Sequence, residues 1–225
     1  MYRICPLTTK VIPHSPFGFS GRPLVNSARI RLLSTSRVSD RVKHDHRELE
    51  TCYDNMMTSK DPDTIKRWQN QFVWELARHS IAEEIVVYPA FEKYCPNGQQ
   101  MADRDRSSHQ AVKEKLYSFQ SMSPESNEFI PALQTLWEDL TSHFREEERE
   151  DLPALERAIA KEDSEELASS FSRTKHFVPT RSHPMVTDKP PYETVAGMLA
   201  TPIDKLRDMF AKFPKEEKKS ATFLS

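Results

Sequence analysis

Histidine and glutamate recur along this 225-residue chain at spacings that suit metal binding. His79 is followed four residues later by Glu83, and His143 is followed four residues later by Glu147. Residues at positions i and i+4 of a helix lie one above the other, about 5–6 Å apart at Cβ, so that an imidazole and a carboxylate can reach one ion. We therefore interpret each pair as part of a metal site.

The two pairs belong to an internal repeat. His46 stands 33 residues before His79, and His109 stands 34 residues before His143. The repeat extends to a second glutamate (Glu84, Glu148) and to a proline–alanine step (Pro89-Ala90, Pro153-Ala154). The chain is therefore predicted to contain two helical hairpins of one design, which pair into an antiparallel four-helix bundle of the all-α class.

Helical bundles build two-metal centres from side chains that project inward from facing helices. The repeat supplies four imidazoles and two carboxylates, from His46, His79, Glu83, His109, His143 and Glu147. Nitrogen and oxygen donors favour iron, manganese or zinc over magnesium or calcium, and the lack of thiolates disfavours an iron–sulfur cluster. Three of the histidines interrupt apolar helix stripes, where an unpaired polar group costs about 1–3 kcal/mol. We expect two non-haem iron ions, with or without an oxo or hydroxo bridge, and manganese or zinc as the alternatives.

Apolar spacing predicts the helices that must position these residues. Only four glycines occur, which favours helix over a turn-rich fold. The first helix follows Ser39 or Asp40, and the second runs from about Pro62 to the breaker cluster at residues 95–98. The third spans about 102–119, and the fourth begins near Glu128. A further helical stretch, 155–171, continues from the fourth or follows a kink.

The first 39 residues contain six basic side chains, nine serines and threonines and no acid. An Arg- and Ser-rich segment without acids is typical of a mitochondrial transit peptide, and the alternative is an unstructured tail. We therefore expect a mitochondrial matrix protein, with a cytoplasmic location as the alternative. The bundle is predicted over residues 40–171.

The character of the chain changes again after residue 171. Residues 172–225 are predicted to form an extended, proline-containing arm, a short amphipathic helix at 203–213 and a charged tail. His176 and His183 lie in this arm, and His44 lies two positions from His46, so we interpret all three as surface residues. The alternative for His176 and His183 is that the arm folds over the mouth of the bundle and brings one of them close to the site.

The charge of the remaining chain limits the classes of partner. Beyond residue 39, 26 basic side chains stand against 34 acidic ones, a net charge of −8. An acidic body with no basic face argues against nucleic acid as a partner. No apolar run approaches the length of a membrane span. Cys5, Cys52 and Cys95 have no paired spacing, so we expect free thiols.

The sequence resembles the hemerythrin-like, or HHE cation-binding, proteins. The resemblance covers about residues 38–167 and rests on Asp45-His46-Arg47-x-Leu49, His79-x-x-x-Glu83-Glu84 with Pro89, His109, and His143-x-x-x-Glu147-Glu148 with Pro153. It implies a four-helix bundle that encloses a non-haem di-iron centre able to bind dioxygen.

The chain departs from the oxygen carriers of that family at two positions. Those proteins have two histidines one turn apart in the third helix, whereas here Lys113 stands one turn after His109. They also close the site with an aspartate five residues after the last histidine, where this chain has Glu148, and Glu147 is the better-spaced ligand. One ligand fewer leaves a more open site, which disfavours simple oxygen carriage.

The expected function is therefore that of a metal-binding protein, which binds, senses or stores iron or binds a diatomic gas such as oxygen or nitric oxide. The alternative is a di-iron redox enzyme, or a protein that repairs iron–sulfur or nitrosative damage; the same ligands serve both, and the sequence does not separate them. A metal-free helical interaction module is disfavoured by the inward histidines. Three carboxylates that stand four residues before a candidate ligand are either acceptors for its ring or solvent-facing charges: Glu75, Asp105 and Asp139.

Overall fold

A computed structural model describes residues 36–183 and 201–214 of the chain. Every regular element within these two ranges is helical, which confirms the predicted all-α class. The predicted presequence up to residue 35, the part of the arm at 184–200 and the charged tail from 215 onward lie outside the described residues.

The helices follow one another through short connections. They are α1 (Val38–Thr58), α2 (Pro62–Ala82), α3 (Tyr88–Tyr94), α4 (Gly98–Phe119), α5 (Phe129–Glu146), α6 (Leu152–Ala158) and α7 (Lys161–Thr174). A wide π-helical turn joins α2 to α3 over Glu83–Val87, and a second joins α5 to α6 over Glu147–Asp151. Four long segments result: α1, α2 with α3, α4, and α5 with α6. They form the predicted hemerythrin-like helical bundle.

Local sequence signals set the start of the first two helices. Asp61 caps α2 by accepting a hydrogen bond from the Thr64 amide at 2.9 Å, and Pro62 follows it at a position where no amide donor is needed. Helix α1 begins at Val38, earlier than Ser39 or Asp40 would place it, because Asp40 reaches back to the Arg37 amide at 3.0 Å. Val38 is thereby fully buried.

Helix α4 begins at Gly98, about four residues earlier than predicted. Asn97 before it adopts a left-handed backbone with φ of 63°, which asparagine tolerates better than most residues. A Cβ on Gly98 would lie 1.8 Å from the Phe91 carbonyl oxygen, so only glycine allows α3 and α4 to meet this closely. The breaker cluster therefore makes a tight corner.

The apolar core of the bundle is divided into two clusters. One contains Leu49, Phe72, Leu116 and Leu140 among its buried residues, and the other contains Val42, Val87, Phe91 and Leu152. On each long segment the residues of the two clusters are separated by candidate metal ligands. The side chains predicted to do chemistry therefore form a polar layer between two apolar halves.

The predicted helix at 155–171 is interrupted at Ile159 and Ala160, and α7 is a separate helix that packs against the start of α1. Ser164 Oγ accepts a hydrogen bond from the Val38 amide at 3.0 Å, and Phe171 is buried in the second cluster. At this break the backbones of Ile159 and Ala160 are extended instead of helical. The prediction of one continuous stretch was therefore wrong.

The described part of the arm lies along the bundle. Ser182 donates a hydrogen bond from Oγ to the Lys113 carbonyl oxygen at 2.6 Å, and Asn70 donates to the Lys212 carbonyl oxygen at 2.8 Å. Residues 201–208 are helical, which is shorter than the predicted 203–213 at its C-terminal end. Cys52 and Cys95 are free thiols. In the described ranges, no helix is both long and apolar enough to span a bilayer.

Candidate metal centre

The structure brings all six predicted ligand side chains into the polar layer between the two apolar clusters. These six side chains are at most 5% exposed to solvent: His46, His79, Glu83, His109, His143 and Glu147. Helix α1 carries the first of them and α4 carries His109. The other two long segments carry the His–Glu pairs. In each pair the histidine lies in the last turn of a long helix and the glutamate is the first residue of the π turn that follows.

Two groups of three donors share one carboxylate. His46, His79 and Glu83 form one group and Glu83, His109 and His143 form the other, with the donor atoms of each group within 4.8 Å of one another. Glu83 Oε1 lies 3.2 Å from His79 Nε2, and its Oε2 lies 3.3 Å from His109 Nε2. Glu83 is thus placed to bridge two ions.

Glu147 occupies the corresponding place in the second hairpin. Its Oε2 lies 3.5 Å from His46 Nε2, and its carboxyl group contacts that of Glu83. Two imidazoles and a carboxylate from each hairpin therefore meet at the middle of the bundle.

Six of the candidate donor atoms lack hydrogen-bond partners within the protein. His46 Nε2, His79 Nε2 and both carboxylate oxygens of Glu83 and of Glu147 are buried without a hydrogen bond. A buried polar atom without a partner costs about 1–3 kcal/mol, and six such atoms in one layer would be a large cost with no return. Cations would satisfy all six, so the residues present fit a pair of metal ions.

Burial sets the protonation of the site in the absence of a cation. It lowers the pKa of His46 to about 4 and also lowers the pKa of His79 and of His143. Burial raises the pKa of Glu83, to which the charge of Glu147 adds, and it raises the pKa of Glu147 itself. Burial therefore favours the neutral form of these three imidazoles, which is the form that binds a cation, and it favours the protonated form of the two carboxyl groups, from which a cation would displace the proton.

The second glutamate of each repeat orients a histidine of the other hairpin. Glu148 Oε1 lies 2.8 Å from His46 Nδ1, and Glu84 Oε1 lies 3.0 Å from His109 Nδ1. These contacts direct the opposite ring nitrogen, Nε2, toward the centre. The sequence shows the second glutamate of each repeat, but it does not show that this glutamate contacts a histidine of the other hairpin.

Each of these glutamates is in turn held by a cation. Arg47 donates to Glu148 Oε1 at 2.5 Å, and Lys113 Nζ lies 3.1 Å from Glu84 Oε2. Lys113 stands at the position where the oxygen carriers have a histidine. Its side chain neutralises the carboxylate that orients His109, so this position is occupied by a residue that supports the centre.

The three carboxylates considered as possible acceptors for the ligand rings contact other side chains. Glu75 pairs with Arg78 at 2.9 Å, Asp139 pairs with Lys115, and Asp105 lies 3.5 Å from Arg104 Nε. In the described part of the chain none of the three hydrogen-bonds its histidine. The Nδ1 atoms of His46, His79 and His109 face carboxylates on other segments of the bundle. A carboxylate four residues before a histidine lies on the histidine's own helix and does not meet this Nδ1 atom.

Asp45 supports His79. Its Oδ2 lies 3.4 Å from His79 Nδ1 and accepts from Lys175 Nζ at 2.5 Å. Burial would raise the pKa of Asp45, but the hydrogen bonds and charges of His79 and Lys175 outweigh it and lower the pKa to about 2.

Sequence reasoning also missed Tyr88, the residue that follows the first π turn. Its hydroxyl lies 2.9 Å from His109 Nε2, and its side chain is fully buried. Burial raises the pKa of Tyr88, and the neighbouring carboxylates add to the effect. The only signal in the sequence is its distance of five residues from Glu83.

The histidines interpreted as surface residues lie outside the polar layer. His44 pairs with Glu48 at 3.4 Å on the exposed side of α1. His183 Nε2 contacts Asp204 Oδ2 at 2.9 Å and lines a small cavity beneath the arm that Lys113 also lines. The arm thus approaches the residues behind His109, but it brings no histidine to the donor atoms.

Comparison with known proteins agrees with this geometry. The family model of the hemerythrin HHE cation-binding domain matches residues 37–155, a range that contains all six predicted ligands. The chain belongs to the hemerythrin HHE cation-binding family. Its resemblance to the family, inferred from the His–Glu motifs, is thereby confirmed, and cation binding is the property that the family name describes.

Two relatives are similar to this chain in sequence. An uncharacterized hemerythrin-like protein of Schizosaccharomyces pombe is 56% identical over 193 residues, which is 84% of this chain and 95% of that protein. A DNA nickase of Nostoc sp. is 26% identical over 144 residues, which is 64% of this chain and 40% of the nickase. No solved structure gives a significant match.

Proposed function

We propose that this HHE protein holds two non-haem iron ions and uses them to bind, sense or store iron or to bind a diatomic gas. The observation that carries the proposal is the set of six buried donor atoms without hydrogen bonds. Their chemistry, imidazole nitrogen and carboxylate oxygen without thiolate, suits iron, and manganese and zinc are the competing ions.

The residues would divide between the two ions. His46 and His79 would hold one ion, His109 and His143 would hold the other, and Glu83 would bridge them, in agreement with the two donor groups that share this residue. Glu147 would be the second carboxylate between them. A pair of iron ions supplies one-electron redox chemistry and open positions for a small ligand.

The surrounding residues would govern how that centre behaves. The two apolar clusters keep bulk water from the polar layer. Glu84, Glu148 and Asp45 hold ring nitrogens in fixed orientations, and their cationic partners offset the negative charge. Such outer partners commonly contribute a factor of about 10–100 in metal affinity.

Metal analysis of the full-length chain tests the proposal. The protein is loaded anaerobically with ferrous iron, freed of excess metal and measured for bound iron, with manganese and zinc offered in competition. We expect two iron ions per chain. Optical spectra of the reduced protein are then recorded before and after addition of oxygen or nitric oxide, and a reversible change supports gas binding.

A double variant, His79→Gln with Glu83→Gln, provides the matched comparison. It should lose the bound iron, whereas His183→Gln should retain it because His183 lies outside the polar layer. Fewer than one iron ion per chain in the unaltered protein would overturn the proposal. Preferential retention of zinc or manganese would overturn the choice of metal and leave the site itself supported.

A further inference from the structure

The two hairpins differ at one position next to the centre. Tyr88 follows Glu83 by five residues, and Leu152 follows Glu147 by five residues. Each amide donates across its π turn to the carbonyl oxygen of that glutamate, and both side chains are fully buried. The repeat therefore places a phenol in one half of the layer and an aliphatic side chain in the other.

The Tyr88 oxygen lies beside His109, one of the three donors of one group. It is 2.9 Å from His109 Nε2 and 3.3 Å from His109 Nδ1, and His109 Nε2 is itself 3.1 Å from His143 Nε2 and 3.3 Å from Glu83 Oε2. Two donor atoms that bind the same metal ion, each at about 2.1 Å from it, lie roughly 3.0–3.4 Å from one another. The spacing of the phenol oxygen thus resembles that of donors around a shared ion.

We propose that Tyr88 is a further metal donor in the half of the centre formed by Glu83, His109 and His143. When it binds, the oxygen–hydrogen bond of the phenol breaks, an oxygen–metal bond forms, and the proton passes to the buffer. This inference rests on the proposed function, because it needs an ion at that position.

The consequence is a chemically unequal pair of ions. The half that contains Tyr88 gains an anionic oxygen donor, which stabilises the higher charge of ferric iron. The half that contains His46 and His79 has Leu152 in the equivalent place and gains none. We expect the ion beside Tyr88 to be the more readily oxidised.

Visible absorption of the ferric, full-length protein tests the inference directly. A phenolate bound to ferric iron gives a charge-transfer band in the visible region, and excitation within that band enhances phenolate ring vibrations in the Raman spectrum. We expect the band in the unaltered protein, and we expect its ring vibrations to shift when ring-deuterated tyrosine is incorporated.

Tyr88→Phe is the informative variant, because phenylalanine keeps the buried ring and removes only the oxygen. Tyr53→Phe is the matched control, since Tyr53 stacks on Trp137 at a ring distance of 4.4 Å. The band and the Raman signals should disappear in Tyr88→Phe and persist in Tyr53→Phe. If Tyr88→Phe fails to fold, persistence of the band after replacement of each other tyrosine in turn assigns it to Tyr88.

Two results would overturn the inference. One is a ferric protein with two bound iron ions and no phenolate band, which would leave Tyr88 as a hydrogen-bond partner of His109. The other is a band that survives in Tyr88→Phe. Bound iron is measured first, so that a protein that binds none, which contradicts the proposed function as well, is distinguished from both.

Discussion

Glu83 and Glu147 place two carboxyl groups in contact with each other in a fully buried layer. Their charged forms are disfavoured by burial and by each other, so the chain tolerates them at a cost to its own stability. Such a cost is common where a fold holds groups for binding another species. Bound cations would remove it.

Replacing Glu147 with glutamine should therefore stabilise the chelator-treated protein. We expect the free energy of unfolding at pH 7 to rise by about 1–2 kcal/mol, although the same change weakens metal binding. Urea unfolding after chelation measures the first effect. Glu150→Gln, at an exposed position of the same turn, should change stability by less than about 0.5 kcal/mol.

The pH dependence of this difference checks its cause. Burial raises the folded-state pKa of Glu147 above the ordinary value of 4.5, so the folded state binds more protons than the unfolded state between pH 4.5 and that raised pKa. The free energy of unfolding therefore falls as pH rises through this window. The advantage of Glu147→Gln should shrink on acidification to pH 5. The lowered pKa of His46 destabilises both proteins alike in acid. A difference that does not change with pH would contradict this explanation.

Replacing Lys113, in contrast to Glu147, should lower the stability of the protein. It is only 9% exposed and pairs with Glu84, which is fully buried. Lys113→Met removes this buried ion pair, and we expect a loss of about 3–5 kcal/mol in the free energy of unfolding.

The matched control for this change is Lys115→Met, since Lys115 pairs with Asp139 at a half-exposed site and should cost less than about 1 kcal/mol. Adding Glu84→Gln to Lys113→Met should restore part of the loss. Additive effects in this double-mutant cycle would show that the pair does not act as a unit.

At the scale of elements, the π turns position the centre. Each begins at a predicted ligand, Glu83 or Glu147, and is followed by Pro89 or Pro153 at the first turn of the next helix. Proline has no amide to donate and its ring would clash with the carbonyl group four residues earlier, and a wider turn relieves the conflict. The extra residue aligns Tyr88 and Leu152 with the glutamate five residues before each.

The corner between α3 and α4 depends on a single glycine. Gly98→Ala would place a methyl group 1.8 Å from the Phe91 carbonyl oxygen, so the two helices would have to separate. We expect a loss of about 3 kcal/mol or more in the free energy of unfolding. Gln99→Ala, at the exposed next position, should fall within about 0.5 kcal/mol of the unaltered protein. Equal stability of the two variants would mean that the corner relaxes without cost.

At the scale of the whole molecule, the start of α1 is held by the C-terminal half of the bundle. Val38 is fully buried, the Ser39 amide donates to Glu156 Oε1 at 3.2 Å, and Arg37 pairs with Glu156 Oε2 at 3.1 Å. These residues lie within the predicted presequence of 39 residues. Cleavage directly after residue 39 would therefore remove part of the bundle.

Two truncated chains test this dependence. Compared with a chain that begins at residue 36, one that begins at residue 40 should lose about 2–3 kcal/mol in the free energy of unfolding, chiefly from the lost burial of Val38. Thermal unfolding of both, in the same buffer with chelator, gives the comparison. If the shorter chain is equally stable, these contacts contribute little, and a boundary at residue 39 is compatible with the fold.

Local periodicity was enough to predict the long helices of the bundle, the repeated hairpin and the six side chains that the structure gathers, although it missed the break at residues 159–160. The spacing of His79 and Glu83, and of His143 and Glu147, defines one helix face wherever the helix lies. Burial on apolar stripes then requires that face to point inward. The assignment of these six residues as ligands, the metal and the location of the protein stay predictions.

Only the tertiary structure decided which groups surround the donors. The sequence shows Glu84 and Glu148, but pairing of the hairpins determines that each supports a histidine of the other. The neutralising role of Lys113 and the approach of Tyr88 to His109 likewise depend on how the helices are rotated about their axes. Of the two interpretations left open for Glu75, Asp105 and Asp139, packing likewise decided against that of ring acceptor. Spacing along a helix specifies which residues share a face, whereas contacts between helices depend on packing that no short stretch of sequence encodes.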